Sequence, residues 1–216
     1  MLMAKRPVFI PWDQPPYMYT VDVEFAWHGG FAVSQKQKNI ADMHHALTFR
    51  YPERRPLEIS SKSMEPLGVK LSAFSLMTYV PSLGKRIPVE CVFQGGKVFA
   101  QGGPYTDMYG MTARDAKRDP RLRESGPLTA FAFEGKRMPL RPATAFYNWL
   151  YIRALMENEE LAKALEAYDA FTDIEFNPGK SLNCQAEAAA MYIGLSRAGL
   201  LDRCRDFDSF VGLYGR

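Results

Sequence analysis

The chain has 216 residues, 47% of them apolar and 24% charged, a balance that excludes a disordered or fibrous protein and fits one globular core. Lys plus Arg exceed Asp plus Glu by 27 − 24 = 3. That mild excess suits a phosphate-bearing ligand or a nucleic acid, but falls far short of the dense basic patch of a protein built only to bind DNA.

Residues 1–16, "MLMAKRPVFIPWDQPP", hold a short apolar run cut by prolines. They read as an extended surface segment and not as a signal peptide. Nothing later reaches the length of a membrane span, so a cytoplasmic protein without a membrane partner is expected. "YMYTVDVEFAW" alternates, with Tyr17, Tyr19, Val21, Val23, Phe25 and Trp27 on one side and Asp22 and Glu24 opposite. That is a strand pattern. "SQKQKNIADMHHAL" has helical composition, with Ser34 as its expected N-cap and Gln37 three residues on. "LEISSKS" reads as a short strand ending in small hydroxyls.

Further on, "LTAFAFEGKRMPL" reads as two short strands around Glu134-Gly135-Lys136. "PATAFYNWLYIRALMEN" opens with Pro142 and is the clearest helix. "EELAKALEAY" is a second helix capped by Asn158. "CQAEAAAMYIGLSRAGL" is an Ala-rich helix stopped by Gly199. The sum is one domain over residues 1–216, mostly helical with a few short strands. Strands and helices do not alternate regularly, so the expected class is α+β and not a doubly wound sheet. Cys91, Cys184 and Cys204 are widely spaced, and no Cys or His pair has metal-ligand spacing. Reduced thiols and no metal site are expected.

The stretch "PVECVFQGGKVFAQGGPYTDMY" carries the chemistry. As a strand, Glu90 and Gln94 share one face and Lys97 lies on the other. As a helix, the spacing i, i+4, i+7 lines all three on one side. The helix is the tidier reading. It must accommodate Gly95-Gly96, each costing roughly 1 kcal/mol relative to Ala in a helix interior. Either a ligand or a backbone approaches closely there, or the helix ends at Gln94 and the glycines form a turn. The phosphate-loop pattern GxxxxGK[ST] and the pattern GxGxxG are both missing.

"LSAFSL" at 71–76 followed by "IPVECVFQGGKVF" at 87–99 resembles the NADAR superfamily of YbiA-like N-glycosidases. Glu90, Gln94 and Lys97 match that family's Glu, Gln and Lys. Cys91 stands where its members usually have His, and Ala73 where they have Asn. Five collinear segments extend the resemblance over most of the chain: "GFAVSQKQKNI", "LEISSKS", "FQGGKVFAQGGPYTDMY", "FYNWLYIRAL" and "AFTDIEFNPGKSLNCQA". They are similar to the branch found beside DarT-type DNA ADP-ribosyltransferase toxins. The resemblance implies an antitoxin enzyme that strips ADP-ribose from guanine in DNA, with no cofactor.

Under that reading positive charge builds on the ribose as the base leaves, and Glu90 is the carboxylate to stabilise it or to activate water. Lys97, Lys62 and the Lys36/Lys38 pair are candidates to hold the pyrophosphate. Lys62 or Lys97 could instead attack an opened ribose as a Schiff-base amine. Gln94, Lys36, Glu58, Ser61, Gly95, Gly96, Asp107, Asp173, Glu175 and Trp27 complete the expected ligand-binding set. The plainer alternatives are a solvated helix face for Lys36 and Lys38, a cap for Asp173, core for Trp27 and Trp149, and surface for His44 and His45. Two other functions stay open at this point: an N-glycosidase on a small nucleotide or riboflavin-pathway metabolite, and a non-catalytic ADP-ribose-binding module.

Overall fold

The alternating residues 17–27 do form a strand, and it pairs along its whole length with the segment before it. The computed structural model describes residues 2–214. β1 (Met3–Pro11) and β2 (Met18–Ala26) make an antiparallel hairpin, with Ala4 opposite Phe25 and Ile10 opposite Tyr19. α1 (Val33–Arg50) follows and lays Ile40, Met43 and Leu47 on the hairpin, against Val8, Ile10, Val23 and Phe25. Those three residues are spaced three and four apart, one face of a helix. The cap position is Ala32, and no side chain caps this helix. Ser34 lies inside its first turn.

Next come β3 (Pro56–Glu58), α2 (Pro66–Lys70), β4 (Met77–Val80), β5 (Lys85–Pro88), α3 (Val89–Gly95) and β6 (Lys97–Phe99). α4 (Ala113–Arg118), α5 (Arg121–Glu124), β7 (Leu128–Phe133) and β8 (Lys136–Met138) follow. The chain continues with α6 (Ala145–Met156), α7 (Glu159–Leu165), β9 (Ala170–Thr172), α8 (Gln185–Arg197) and α9 (Phe207–Val211). The main sheet has the order β2-β1-β9-β3; β3 and β9 are parallel, with Glu58 beside Thr172. β4 and β5 form a hairpin, and β6-β7-β8 form a small antiparallel sheet. β7 and β8 turn at Glu134-Gly135, both with positive φ, as the sequence predicts.

α6 buries ten of its twelve residues and α8 nine of its thirteen. A helix apolar on every side belongs in the centre of a fold, and these two pack on each other. α+β is therefore right, but the chain is less helical than expected, with 42% in helix and 21% in strand. The first sixteen residues are the largest departure. Val8, Phe9 and Ile10 are buried in an inner strand. No helix among the described residues is long and apolar enough to cross a membrane.

Candidate functional site

Residues 89–95 are a helix, so the helical reading holds for Glu90 and Gln94. Gln94 donates from Nε2 to Glu90 Oε1 at 2.8 Å, across one turn. Lys97, the first residue of β6, donates from Nζ to Gln94 Oε1 at 2.7 Å. Carboxylate, amide and ammonium thus stand in one hydrogen-bonded line. Lys97 Nζ also lies 4.8 Å from the centre of the Phe93 ring. Burial holds the Lys97 ammonium below its ordinary range; nearby Glu90 opposes that shift and Lys117 adds to it. Lys117 comes from α4, with Nζ 3.8 Å from Glu90 Oε1 and over the Phe74 ring at 5.3 Å. Glu90 is 5% exposed.

The glycines serve close approach. A Cβ on Gly95 would lie 2.7 Å from Tyr109 and 2.8 Å from the Tyr105 carbonyl; one on Gly96 would lie 2.7 Å from the Ala132 carbonyl. Gly95 closes the helix and Gly96 caps it in the right-handed region. The close neighbours of this helix end are protein: the Tyr109 ring and the backbone carbonyls of Tyr105 and Ala132.

A second carboxylate group faces the first across the loop of residues 71–76. The Glu90 amide donates to the Ala73 carbonyl at 2.9 Å, and the Ala73 amide donates to Gln185 Oε1 at 2.7 Å. The Gln185 side chain in turn hydrogen-bonds Asp173. Asp173 follows β9 directly and accepts from the Glu175 amide at 3.0 Å. Burial, then the neighbouring Glu58, pushes its carboxyl up from 3.8 to about 8. Glu58 is buried and is also pushed up, by its own burial above all. It accepts from Thr172 Oγ1 at 2.6 Å and from the Ile174 amide at 2.8 Å. Those donors favour charge on Glu58, while burial beside Glu58 favours the protonated form of Asp173. The buried hydroxyl of Tyr147, on α6, feels both Glu90 and Asp173.

The remaining expected residues divide by position. Lys62 sits half-buried on the turn after β3, with Nζ 3.2 Å from the exposed Ser61 hydroxyl. Lys36 is ion-paired with Glu175 at 3.2 Å and lies 5.7 Å from the Trp27 ring. Trp27 is half-buried, with Arg6 also over its face at 5.3 Å. These four segments meet at the end of the sheet where β3 and β9 finish. Asp107 lies on the turn that packs against the end of α3, and its carboxylate is held by Arg121 at 2.7 and 3.2 Å. Trp149 is core, donating to the Cys204 carbonyl. His44 is not a surface residue. It meets Thr172 Oγ1 at 2.9 Å, and burial lowers it from 6.5 to about 4.

Lys117, Gln185 and Tyr147 belong to the site and were missed from sequence. Lys117 is one cation among several in "RDAKR". Gln185 and Tyr147 lie inside motifs quoted for other reasons. A cavity of about 120 Å³ lies elsewhere, among Tyr17, Met191, Phe210 and Leu213. It is too small for a dinucleotide, since ligand pockets run to roughly 300–1,000 Å³.

No curated protein matches the chain. The pairing of the Glu90–Gln94–Lys97 line with the "LSAF" loop agrees with a match that spans nearly the whole length. The family model of the DarT1-associated NADAR antitoxin covers residues 4–216, and the chain belongs to that family.

Proposed function

We propose that the protein removes ADP-ribose from guanine bases in DNA and so reverses a DarT-type toxin. The observation that carries the reading is the hydrogen-bonded line of Glu90, Gln94 and Lys97, with Lys117 at the carboxylate. As the C1″–N bond breaks, its electron pair goes to the base nitrogen and positive charge builds on the ribose. Glu90, oriented by Gln94, faces that charge or takes a proton from the attacking water. The departing nitrogen needs a proton, and Asp173 holds one up to about pH 8. Lys97 and Lys117 offset the pyrophosphate charge.

A second route is favoured by the desolvation of Lys97. The amine form of Lys97, favoured by that desolvation, attacks C1″ of the ring-opened ribose imine; the C1″–N bond to guanine breaks, the guanine amine leaves with a proton, and water hydrolyses the new lysine imine to free ADP-ribose.

The test pairs turnover with binding. Wild type and Glu90→Gln are incubated with DNA bearing ADP-ribosylated guanine, and released ADP-ribose is measured. Affinity for free ADP-ribose is measured by calorimetry. Wild type should release ADP-ribose, and Glu90→Gln should be slower by about 10²–10⁴. Affinity should barely change, because the ground state has no ribosyl cation to pair. Binding without turnover in wild type would leave only a binding module. Neither binding nor turnover would sink the reading altogether.

A further inference from the structure

The two ends of the main sheet differ. Glu58 and Asp173 mark the end where β3 and β9 finish. Among the described residues eleven large hydrophobic side chains are exposed, and six of them sit on segments at this end: Leu2, Met3, Phe31, Val33, Met64 and Leu182. The Leu2 carbonyl accepts from the Trp27 amide at 2.8 Å. Phe31 and Val33 lead into α1 just before Lys36, whose ammonium pairs with Glu175. Met64 follows Lys62, and Leu182 precedes Cys184, whose Sγ reaches Asp173 at 4.0 Å. An exposed apolar cluster of this kind around a site marks an interaction surface.

Phe31 is the extreme case, fully exposed on a loop that is fixed at its base. The His28 amide donates to Asn39 Oδ1 at 2.7 Å, Asn39 returns a bond to the His28 carbonyl, and the His28 ring meets Asp42 at 2.7 Å. The ring is thus presented to solvent by an anchored support. Lys38 and Lys180 are exposed on the same segments, and Lys62 is half-buried beside Met64.

We propose that this rim is a docking face for single-stranded DNA, with the Phe31 ring stacking on a base next to the modified guanine. The inference rests on the functional reading above. With the ribose at the buried Glu90, the attached base stands at the mouth of the site, and its neighbours along the strand fall on the rim. The Phe31 face accepts any base, and the exposed Lys38 and Lys180 on the neighbouring segments meet the phosphates. Mixed aromatic and cationic character fits a nucleic acid better than the dry apolar core of a protein interface.

The test uses Phe31→Ala and Phe31→Trp with two substrates: a single-stranded oligonucleotide carrying one ADP-ribosylated guanine, and the ADP-ribosylated guanosine nucleoside. Anisotropy with the unmodified oligonucleotide measures docking apart from chemistry. Phe31→Ala should lose about tenfold or more in kcat/KM on the oligonucleotide, through KM, and about tenfold in oligonucleotide affinity. The nucleoside should be processed as by wild type, and Phe31→Trp should restore both losses. Wild type inactive on both substrates, with the affinity loss intact, would overturn the activity and keep the docking face. Phe31→Ala that binds and cleaves the oligonucleotide like wild type would overturn the proposal, and so would an affinity loss for the toxin protein alone.

Discussion

Lys62 and Lys97 match the same chemical role on paper, but their surroundings separate them. Lys97 is desolvated and sits on Phe93, hydrogen-bonded to Gln94. Lys62 rests on an exposed serine at the sheet end. Desolvation shifts Lys97 toward the neutral amine that a Schiff base needs. Borohydride added during turnover should therefore trap one ADP-ribose on wild type and on Lys62→Ala, seen by mass spectrometry, and none on Lys97→Ala. Intact turnover with no trapped species on wild type would assign direct hydrolysis. At this scale, Glu90 and Gln94 were legible because one helix turn sets their spacing; Lys97, on β6, joins them through the backbone that follows the helix. Lys117 and Gln185 were not, because tertiary approach alone brings α4 and α8 to Glu90 and Asp173.

The helix α3 shows how packing overrides propensity at the level of an element. By propensity alone, Ala in place of Gly95 should stabilise a helix by roughly 1 kcal/mol. The structure says the reverse, since the added methyl would press on the Tyr109 ring and the Tyr105 carbonyl at 2.7–2.8 Å. The Tyr105 amide also donates to the Gly95 carbonyl at 2.7 Å, so the two segments cannot simply separate. Gly95→Ala should destabilise by about 1–3 kcal/mol, a Tm loss of roughly 2–4 °C per kcal/mol for a chain of this size. A thermal scan with Tm unchanged or raised would refute that account. The long helices α6 and α8 were readable because helix-favouring composition and end signals agreed. β1 was not, because Pro7 and Pro11 speak against an inner strand. The sheet admits them because β9 meets β1 only at Phe9, opposite Phe171. β9 itself is three residues long, too short to leave a pattern.

The whole molecule's stability should record the paired titration of Asp173 and His44. Asp173 rises from 3.8 to about 8 on folding, so between those values the folded state holds a proton that the unfolded state lacks. Stability then falls as pH rises. His44 falls from 6.5 to about 4, so between those values the unfolded state holds the extra proton. Stability then rises with pH. The two slopes oppose each other below pH 6.5, and only that of Asp173 remains above it. Wild type should therefore show a nearly level Tm from pH 5 to 6.5 and a decline from 6.5 to about 8. The decline should be at least 1 kcal/mol, or roughly 2–4 °C. Glu58, raised by burial, leans the same way as Asp173. Asp173→Asn removes the proton whose loss causes the decline, so its Tm should stay level above pH 6.5. It should now fall more than that of wild type as pH drops from 6.5 toward 5, because only Glu58 still opposes His44. The same substitution removes the proposed acid, so turnover should fall even where the fold is more stable. Thermal scans of both proteins at half-unit steps from pH 5 to 9 decide the matter. If the two profiles run parallel, Asp173 is not the group that holds the proton, and its role as the acid goes with it.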